Sequence, residues 1–197
     1  MQKLLGNSKE GLLFILSGPA GTGKNTLVKM LIEEFPCVVE SISFTTRKSR
    51  PGEVQGVHYH FVDEKEFEEK IAKNEFLEYV KLYGYYYGTG LKQVQEEQKR
   101  GKHVILVIDT QGALQLINKV VAVFIFLRPP SIEILRQRLT QRNTEEQKVI
   151  EERLSWAEKE LAVAEQYDYC IINDDLQIAY QVLRSIFIAE EHRLKRS

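Results

Sequence analysis

The segment Gly18-Pro19-Ala20-Gly21-Thr22-Gly23-Lys24-Asn25-Thr26 carries the clearest chemistry in the chain. Glycines at this spacing let backbone N–H groups turn inward around phosphate oxygens. The start of a helix adds partial positive charge, and the Lys24 ammonium reaches the outer phosphates. The context fits, because the apolar run 12–17 precedes the segment and the amphipathic pattern 24–35 follows it. Strand, glycine-rich turn, lysine and helix in that order make a nucleotide phosphate site.

One position is irregular. The usual pattern follows the lysine with Ser or Thr, whose hydroxyl holds Mg²⁺, and here Asn25 stands there. An amide oxygen can ligate the ion or hold one of its waters, with a different length and geometry. Thr26 is the next hydroxyl, but one residue further along a helix it points elsewhere. The run Val104-Ile105-Leu106-Val107-Ile108-Asp109 reads as an apolar strand ending in a carboxylate, which places Asp109 near the phosphates and their metal at the sheet's C-terminal edge. Asn25 and Asp109 are thus the candidates to hold Mg²⁺, directly or through water. Asp109-Thr110-Gln111-Gly112 also fits the short D-x-x-G switch of GTPases. The Asn-Lys-x-Asp motif of those proteins is missing, since Val120-Val121 follows Asn118-Lys119. His58-Tyr59-His60 has a ligand-like spacing without a third His or a Cys, and is expected to supply strand histidines.

The elements that must position these residues can be read from hydrophobic patterning. Apolar β-rich runs recur at 12–17, 37–42, 103–109, 120–127 and 169–172, and helical patterns fall at 24–35, 91–100, 111–118 and, with interruptions, 131–164. Alternation of this kind predicts an α/β fold with a parallel sheet covered on both faces. Residues 43–90 break the pattern: they are rich in Tyr, Gly and charge, and the alternation of Val57, Tyr59 and Phe61 suggests a short mixed sheet. Asp63 with Glu66 offers a capping box for a helix at 64–73. A polar break at 141–144, with a second capping box from Thr144 and Gln147, suggests a mobile pair of helices.

Composition bounds the function. The 197 residues suit one domain with small insertions, and 27 Lys plus Arg against 28 Asp plus Glu leave a net charge of -1, without the global basic field of a nucleic-acid binder. Any anion site must be local. Cys37 and Cys170 lie in apolar runs and are expected to be core thiols. No run approaches the ~20 apolar residues that span a bilayer, and no secretory signal is visible, so a cytoplasmic location is expected.

A longer series of residues narrows the class. Ser43-Phe44-Thr45-Thr46-Arg47, Arg50-Pro51-Gly52-Glu53, Gly56-Val57-His58-Tyr59, Phe76-Leu77-Glu78, Tyr86-Tyr87-Gly88-Thr89, Ile108-Asp109-Thr110-Gln111-Gly112 and Ile172-Asn173-Asp174-Asp175 follow one another in an order and spacing that resembles the guanylate kinases, from residue 12 to about 191. The resemblance implies a P-loop enzyme that transfers the γ-phosphoryl of ATP to GMP with Mg²⁺. It implies a core at about 1–42, 91–136 and 156–197, a GMP-binding insertion at 43–90 and a lid at 137–155.

It also implies roles. Gly18 to Thr26, with Lys24, would bind ATP. Arg47 and Arg50, joined by the hydroxyls of Tyr59 and Tyr87, would clamp the GMP phosphate; guanidinium forks suit bidentate phosphate contact. Glu78 would accept from the adjacent N1–H and 2-amino donors of guanine, with Ser43 and Thr89 completing the base pocket and Asp109 beside it. Arg138, Arg142 and Arg153 would be the lid arginines that meet the moving phosphoryl group. No general base is required, because the acceptor is a phosphate oxygen that is largely ionised near neutral pH. Two departures touch the metal: Asn25 replaces the usual Ser or Thr, and Val107 replaces the first Asp of a frequent Asp-Ile-Asp strand. A rearranged Mg²⁺ site is expected. The rival reading is an interaction module that keeps the shape without turnover, and retention of the phosphate loop and the lid arginines argues against it.

Overall fold

The structure, a computed structural model, describes residues 3–141 and 147–194. Its elements in chain order are β1 (Leu13–Ser17), α1 (Lys24–Glu34), β2 (Val38–Glu40), β3 (Phe44–Thr45), β4 (His60–Phe61), α2 (Glu64–Ala72), β5 (Phe76–Leu82), β6 (Tyr85–Gly90), α3 (Leu91–Lys99), β7 (His103–Val107), α4 (Thr110–Leu116), β8 (Val123–Arg128), α5 (Ile132–Gln141), α6 (Gln147–Leu161), β9 (Tyr169–Ile172) and α7 (Leu176–Glu191). Five strands pair in parallel in the order β2-β7-β1-β8-β9. The expected α/β class is the observed one.

Both faces of this sheet are apolar, and the period-2 alternation of a strand explains how one run serves two cores. Phe14 and Leu16 of β1 face Leu27, Val28 and Leu31 of α1 and Leu183 and Phe187 of α7. Leu13 and Ile15 face the opposite cluster with Val94 of α3, Ala113 and Leu116 of α4, and Phe124 and Phe126 of β8. A third, smaller core of Leu135, Leu139, Ile150, Leu154 and Ala157 packs α5 on α6.

A second sheet, ordered β4-β3-β6-β5, stands off the first and mixes one parallel with two antiparallel pairings. Its β5–β6 hairpin turns on Tyr83 and Gly84, both at positive φ of 51° and 83°, as a two-residue primed turn requires. The predicted Asp63 cap is present, with its Oδ1 accepting from the Glu66 amide at 2.7 Å.

Several expectations need correction. Only His60–Phe61 of the alternating segment is a strand; Val57 is exposed, and the amides of Val57 and His58 donate to the Val54 carbonyl in a turn. His58 therefore lies in that turn rather than in a strand, and of this pair His60 alone is in a strand. The strand at 103–109 stops at Val107, and the one at 120–127 starts only at Val123. Cys37 is half-buried and Cys170 is exposed, because β9 is an edge strand whose outward positions meet solvent. Thr144 lies outside the described residues, and so does the second capping box it would form. Helix α7 and the buried pairing of His103 with Glu191 have no counterpart in the sequence reading.

Candidate active site

Loops leaving adjacent parallel strands at a point where the strand order reverses form a crevice at the sheet's C-terminal edge. Here β1 lies between β7 and β8, so the loop after β1 and the loop after β7 open side by side. The first is the phosphate loop. Gly18 has φ of 135°, and a Cβ there would sit 2.1 Å from the Leu127 carbonyl oxygen, so only glycine fits between the two strands. Gly23 precedes α1 at φ 96° and offers no side-chain cap, which leaves the first helical amides to an incoming anion. Lys24 Nζ spans the loop, donating to the carbonyls of Gly18 at 2.5 Å and Pro19 at 3.0 Å. Thr22 is buried, its hydroxyl donating to Pro19 O at 2.9 Å.

The far wall of this loop comes from elements distant in sequence. Asn173, just past β9, donates from Nδ2 to Thr22 O at 2.7 Å, and Arg138 on α5 donates to Asn173 O at 2.9 Å. Gly21, Thr22, Gly23, Arg138, Asn173 and Asp174 line a cleft of about 360 Å³ there. The adjacent Arg136 instead pairs with Glu151 across the α5–α6 contact, which separates it from Arg138 in what it can do.

On the other side of the loop, Gly18, Ala20, Lys24, Asn25, Asp109, Arg153 and Glu160 line a cavity of about 540 Å³. Asn25 is exposed within it. Asp109 lies two residues beyond β7 and caps α4, with Oδ1 accepting from the amides of Gln111 at 2.7 Å and Gly112 at 3.3 Å. Burial raises the Asp109 carboxyl, partly offset by those amides and by Lys24. Glu160, unnoticed in the sequence, accepts from the Thr110 hydroxyl at 3.1 Å, and burial raises it against the pull of Lys24. Amide oxygen, two carboxylates and room for phosphates and waters are hard oxygen donors of the kind Mg²⁺ takes, so the residues present fit that ion. Among the described residues there is no cluster of three acidic, His or Cys side chains that would hold a metal by itself.

A second cavity of about 880 Å³ opens from the first, sharing Tyr59, Asp109 and Arg153 with it. Ser43, Arg47, Arg50, Tyr59, Glu78 and Tyr87 all line it, gathered from the second sheet and the turns beside it. Arg47 forms a bidentate pair with Glu53 at 2.9 Å on each arm, and its guanidinium lies 5.4 Å from the Tyr59 ring centroid. Glu78, on β5, is only 5% exposed. Its Oε1 accepts from the Thr89 hydroxyl at 2.6 Å, and burial pushes its carboxyl up to about 7, with the Asp109 charge adding to that and Thr89 opposing it. Gly112 makes room for this carboxylate, since a Cβ there would lie 2.6 Å from Glu78 Oε2. Thr26 faces none of these cavities, and Arg142 lies outside the described residues. Glu53, Asn173, Gly112 and Glu160 complete the site; the first three stand inside motifs quoted above, but nothing in their types announced these partners.

A phosphate loop on a five-stranded parallel sheet, continuous with an arginine-lined cavity on a small mixed sheet, defines a P-loop kinase of the nucleoside monophosphate class, in which donor and acceptor nucleotides face one another. The comparisons with known proteins are specific. The family model "Guanylate kinase" matches residues 10–190. The guanylate kinase of Protochlamydia amoebophila (strain UWE25) is 60% identical over 191 residues, covering 97% of each chain. That of Chlamydia trachomatis serovar D is 51% identical over 183 residues, covering 92% of this chain and 89% of the relative. The crystal structure of guanylate kinase from Anaplasma phagocytophilum superposes with a TM-score of 0.77 at 33% identity, over 94% of this chain and 88% of that one. The chain belongs to the guanylate kinase family. Nothing in these likenesses supports a module without turnover.

Proposed function

We propose that this chain carries out the family's transfer of the γ-phosphoryl group of ATP to GMP with GMP seated in the larger cavity and the ATP phosphates on the loop 18–26. The observation that carries this reading is the pairing of a buried carboxylate, Glu78, with two arginines, Arg47 and Arg50, on the walls of one cavity. Guanine offers two adjacent donors to one carboxylate where adenine offers an unprotonated acceptor, and a phosphate dianion suits Arg47 and Arg50 with the hydroxyls of Tyr59 and Tyr87. Ser43 and Thr89 complete the base pocket.

Lys24 neutralises the outer ATP phosphates, and Arg138 and Arg153 approach the transferred group from α5 and α6; Arg142 is assigned to the same task from its position in the sequence. Asn25 and Asp109 would hold Mg²⁺ or its waters, with Glu160 beside them. An ion held there would supply Lewis-acid neutralisation of the phosphate charge during transfer. The protein's own work is positioning and charge neutralisation, since the acceptor oxygen needs no base. We further propose that residues 43–90 act as the GMP-binding insertion and 137–155 as a lid over a core made by the rest, the two closing to exclude water. A cytoplasmic setting, where ATP and GMP are both at hand, belongs to the same reading.

Arg47→Ala tests the assignment: the KM for GMP rises by about 100-fold or more, the loss of a charged phosphate contact, with the KM for ATP little changed. An unchanged GMP dependence contradicts the clamp. Asn25→Ser tests the metal position, with a shift in the Mg²⁺ concentration needed for half-maximal turnover expected and an unmoved Mg²⁺ dependence against it.

A further inference from the structure

Glu53 is an anion beside the cavity end that is to receive a phosphate, and on charge alone it opposes the ligand. Its contacts explain its presence. Oε2 accepts from Arg47 Nη1 at 2.9 Å and from the Arg50 amide at 2.7 Å, while Oε1 accepts from Arg47 Nη2 at 2.9 Å. The Glu53 amide donates back to the Arg50 carbonyl at 3.0 Å, so the carboxylate is fixed to a closed turn. The side chains of Arg47 and Glu53 are 12% and 17% exposed.

A guanidinium presents five N–H bonds, two pairs of which form parallel forks. On Arg47 the end fork, one hydrogen each from Nη1 and Nη2, is taken by Glu53, and the second Nη1 hydrogen goes to the Lys48 carbonyl at 2.7 Å. What remains is the side fork, Nε–H with the outer Nη2–H. The ring centroids of Tyr59 and Phe61 lie 5.4 and 5.9 Å from the guanidinium carbon, and the nearby Tyr87 hydroxyl helps hold the group charged. Arg47 and Arg50 line the large cavity and Glu53 does not, so the carboxylate stands behind the arginine rather than between it and the ligand.

We propose that Glu53 is a positioning residue for the transfer: it grips Arg47 by the end fork and thereby aims the side fork at the phosphate of GMP. The inference rests on the proposed assignment of Arg47 to that phosphate. The opposite role, a carboxylate that competes with phosphate for Arg47, makes the reverse prediction and is tested with it.

The experiment compares binding of GMP and of guanosine, which lacks the phosphate, to the full chain and its Glu53→Gln, Glu53→Ala, Arg47→Ala and Glu53→Ala/Arg47→Ala variants. Glu53→Gln keeps the shape of the side chain and guards against a folding failure in the alanine variant. Both single Glu53 variants should weaken GMP by about tenfold or more, the effect of loosening a charged hydrogen-bonded group, and leave guanosine unchanged. The loss from Glu53→Ala should shrink below about threefold in the Arg47→Ala background, because both changes act on one contact. Tighter GMP binding in either single Glu53 variant establishes competition and overturns the proposal. An equal loss of guanosine reduces Glu53 to a structural role and overturns it too, as does full additivity with Arg47→Ala. If Arg47→Ala alone leaves GMP binding intact, the phosphate assignment itself fails; if it weakens GMP while the Glu53 variants do not, only the present inference does.

Discussion

On the proposed reading, Glu78 trades stability for selectivity. Burial lifts its carboxyl from an ordinary value of 4.5 to about 7, so the folded protein holds a proton that the unfolded chain has already released. The charged carboxylate therefore destabilises the fold, by an amount that grows as pH rises from about 4.5 to about 7 and is complete above that. Glu78→Gln should raise stability by about 1–3 kcal/mol at pH 8 and by almost nothing at pH 4, read from denaturant midpoints at the two pH values. The same change should abolish the preference for guanine. Because guanine must meet the ionised form, the affinity of the parent for guanosine should fall as pH drops below about 7, up to tenfold per unit. Guanosine is the right probe, since GMP's own second ionisation near pH 6 would blur the result. Gly112→Ala should act on the same carboxylate from the other side, through the 2.6 Å approach to Oε2. It is expected to weaken GMP far more than ATP, and an unaltered GMP requirement would show that Glu78 has room to move. At this scale the sequence is legible where a residue type marks a place in the site, as with Lys24 and Arg47, which line the two cavities. It is silent where the task is space or support, as with Gly112 and Glu53, because their partners come from other elements.

At the scale of elements, the phosphate loop is held by segments that enter the chain 100 residues and more after it. Asn173 follows β9 and fixes Thr22 O from 151 residues away in sequence. Asn173→Ala leaves that carbonyl without its partner, at a cost of about 1–3 kcal/mol. It should raise the KM for ATP more than that for GMP, measured by varying each substrate at saturation of the other. The β-strand and helix order of the sheet was legible because apolar runs and amphipathic stretches alternate cleanly. Helix α7 was not: its buried stripe of Ala179, Tyr180, Leu183, Ile186 and Phe187 has helical spacing, but the apolar Leu176, Ile178 and Val182 beside it blur that period in the sequence. Several of them, Ile178 and Val182 among them, remain exposed in the fold, so burial does not follow the apolar pattern here. Cys170 fails for a related reason, since an apolar run does not say whether its strand will be central or at the edge.

Across the whole molecule, one buried contact ties the start of the described chain to its last helix. His103, fully buried at the head of β7, takes the Leu12 amide on Nδ1 at 3.0 Å, which puts its proton on Nε2 to be donated to Glu191 Oε2 at 2.6 Å. Burial pushes the Glu191 carboxyl up, but the amides of Gly6 and Asn7, the Asn7 side chain and His103 outweigh it and hold the group at about 2. A carboxyl lowered on folding contributes stability above its unfolded value of about 4.5 that is lost as pH falls towards 2. Glu191→Ala should therefore cost about 2–4 kcal/mol at neutral pH and flatten the acid limb between those values, seen by thermal melts from pH 7 down to 2. Turnover at saturating substrates should change little, because this contact lies at the far end of β7 from the phosphate loop. Near-neutral net charge also takes its meaning at this scale: the two anion sites proposed above, Lys24 with Arg138 and Arg153, and Arg47 with Arg50, would be balanced by acidic helices elsewhere. The central claim, that a buried carboxylate and an arginine clamp in one cavity select GMP for phosphorylation by ATP, is tested most directly by steady-state turnover with ATP and each of GMP, AMP, UMP and dTMP. The account predicts a kcat/KM for GMP above that for AMP by about 10⁴-fold, and comparable turnover of AMP would contradict it.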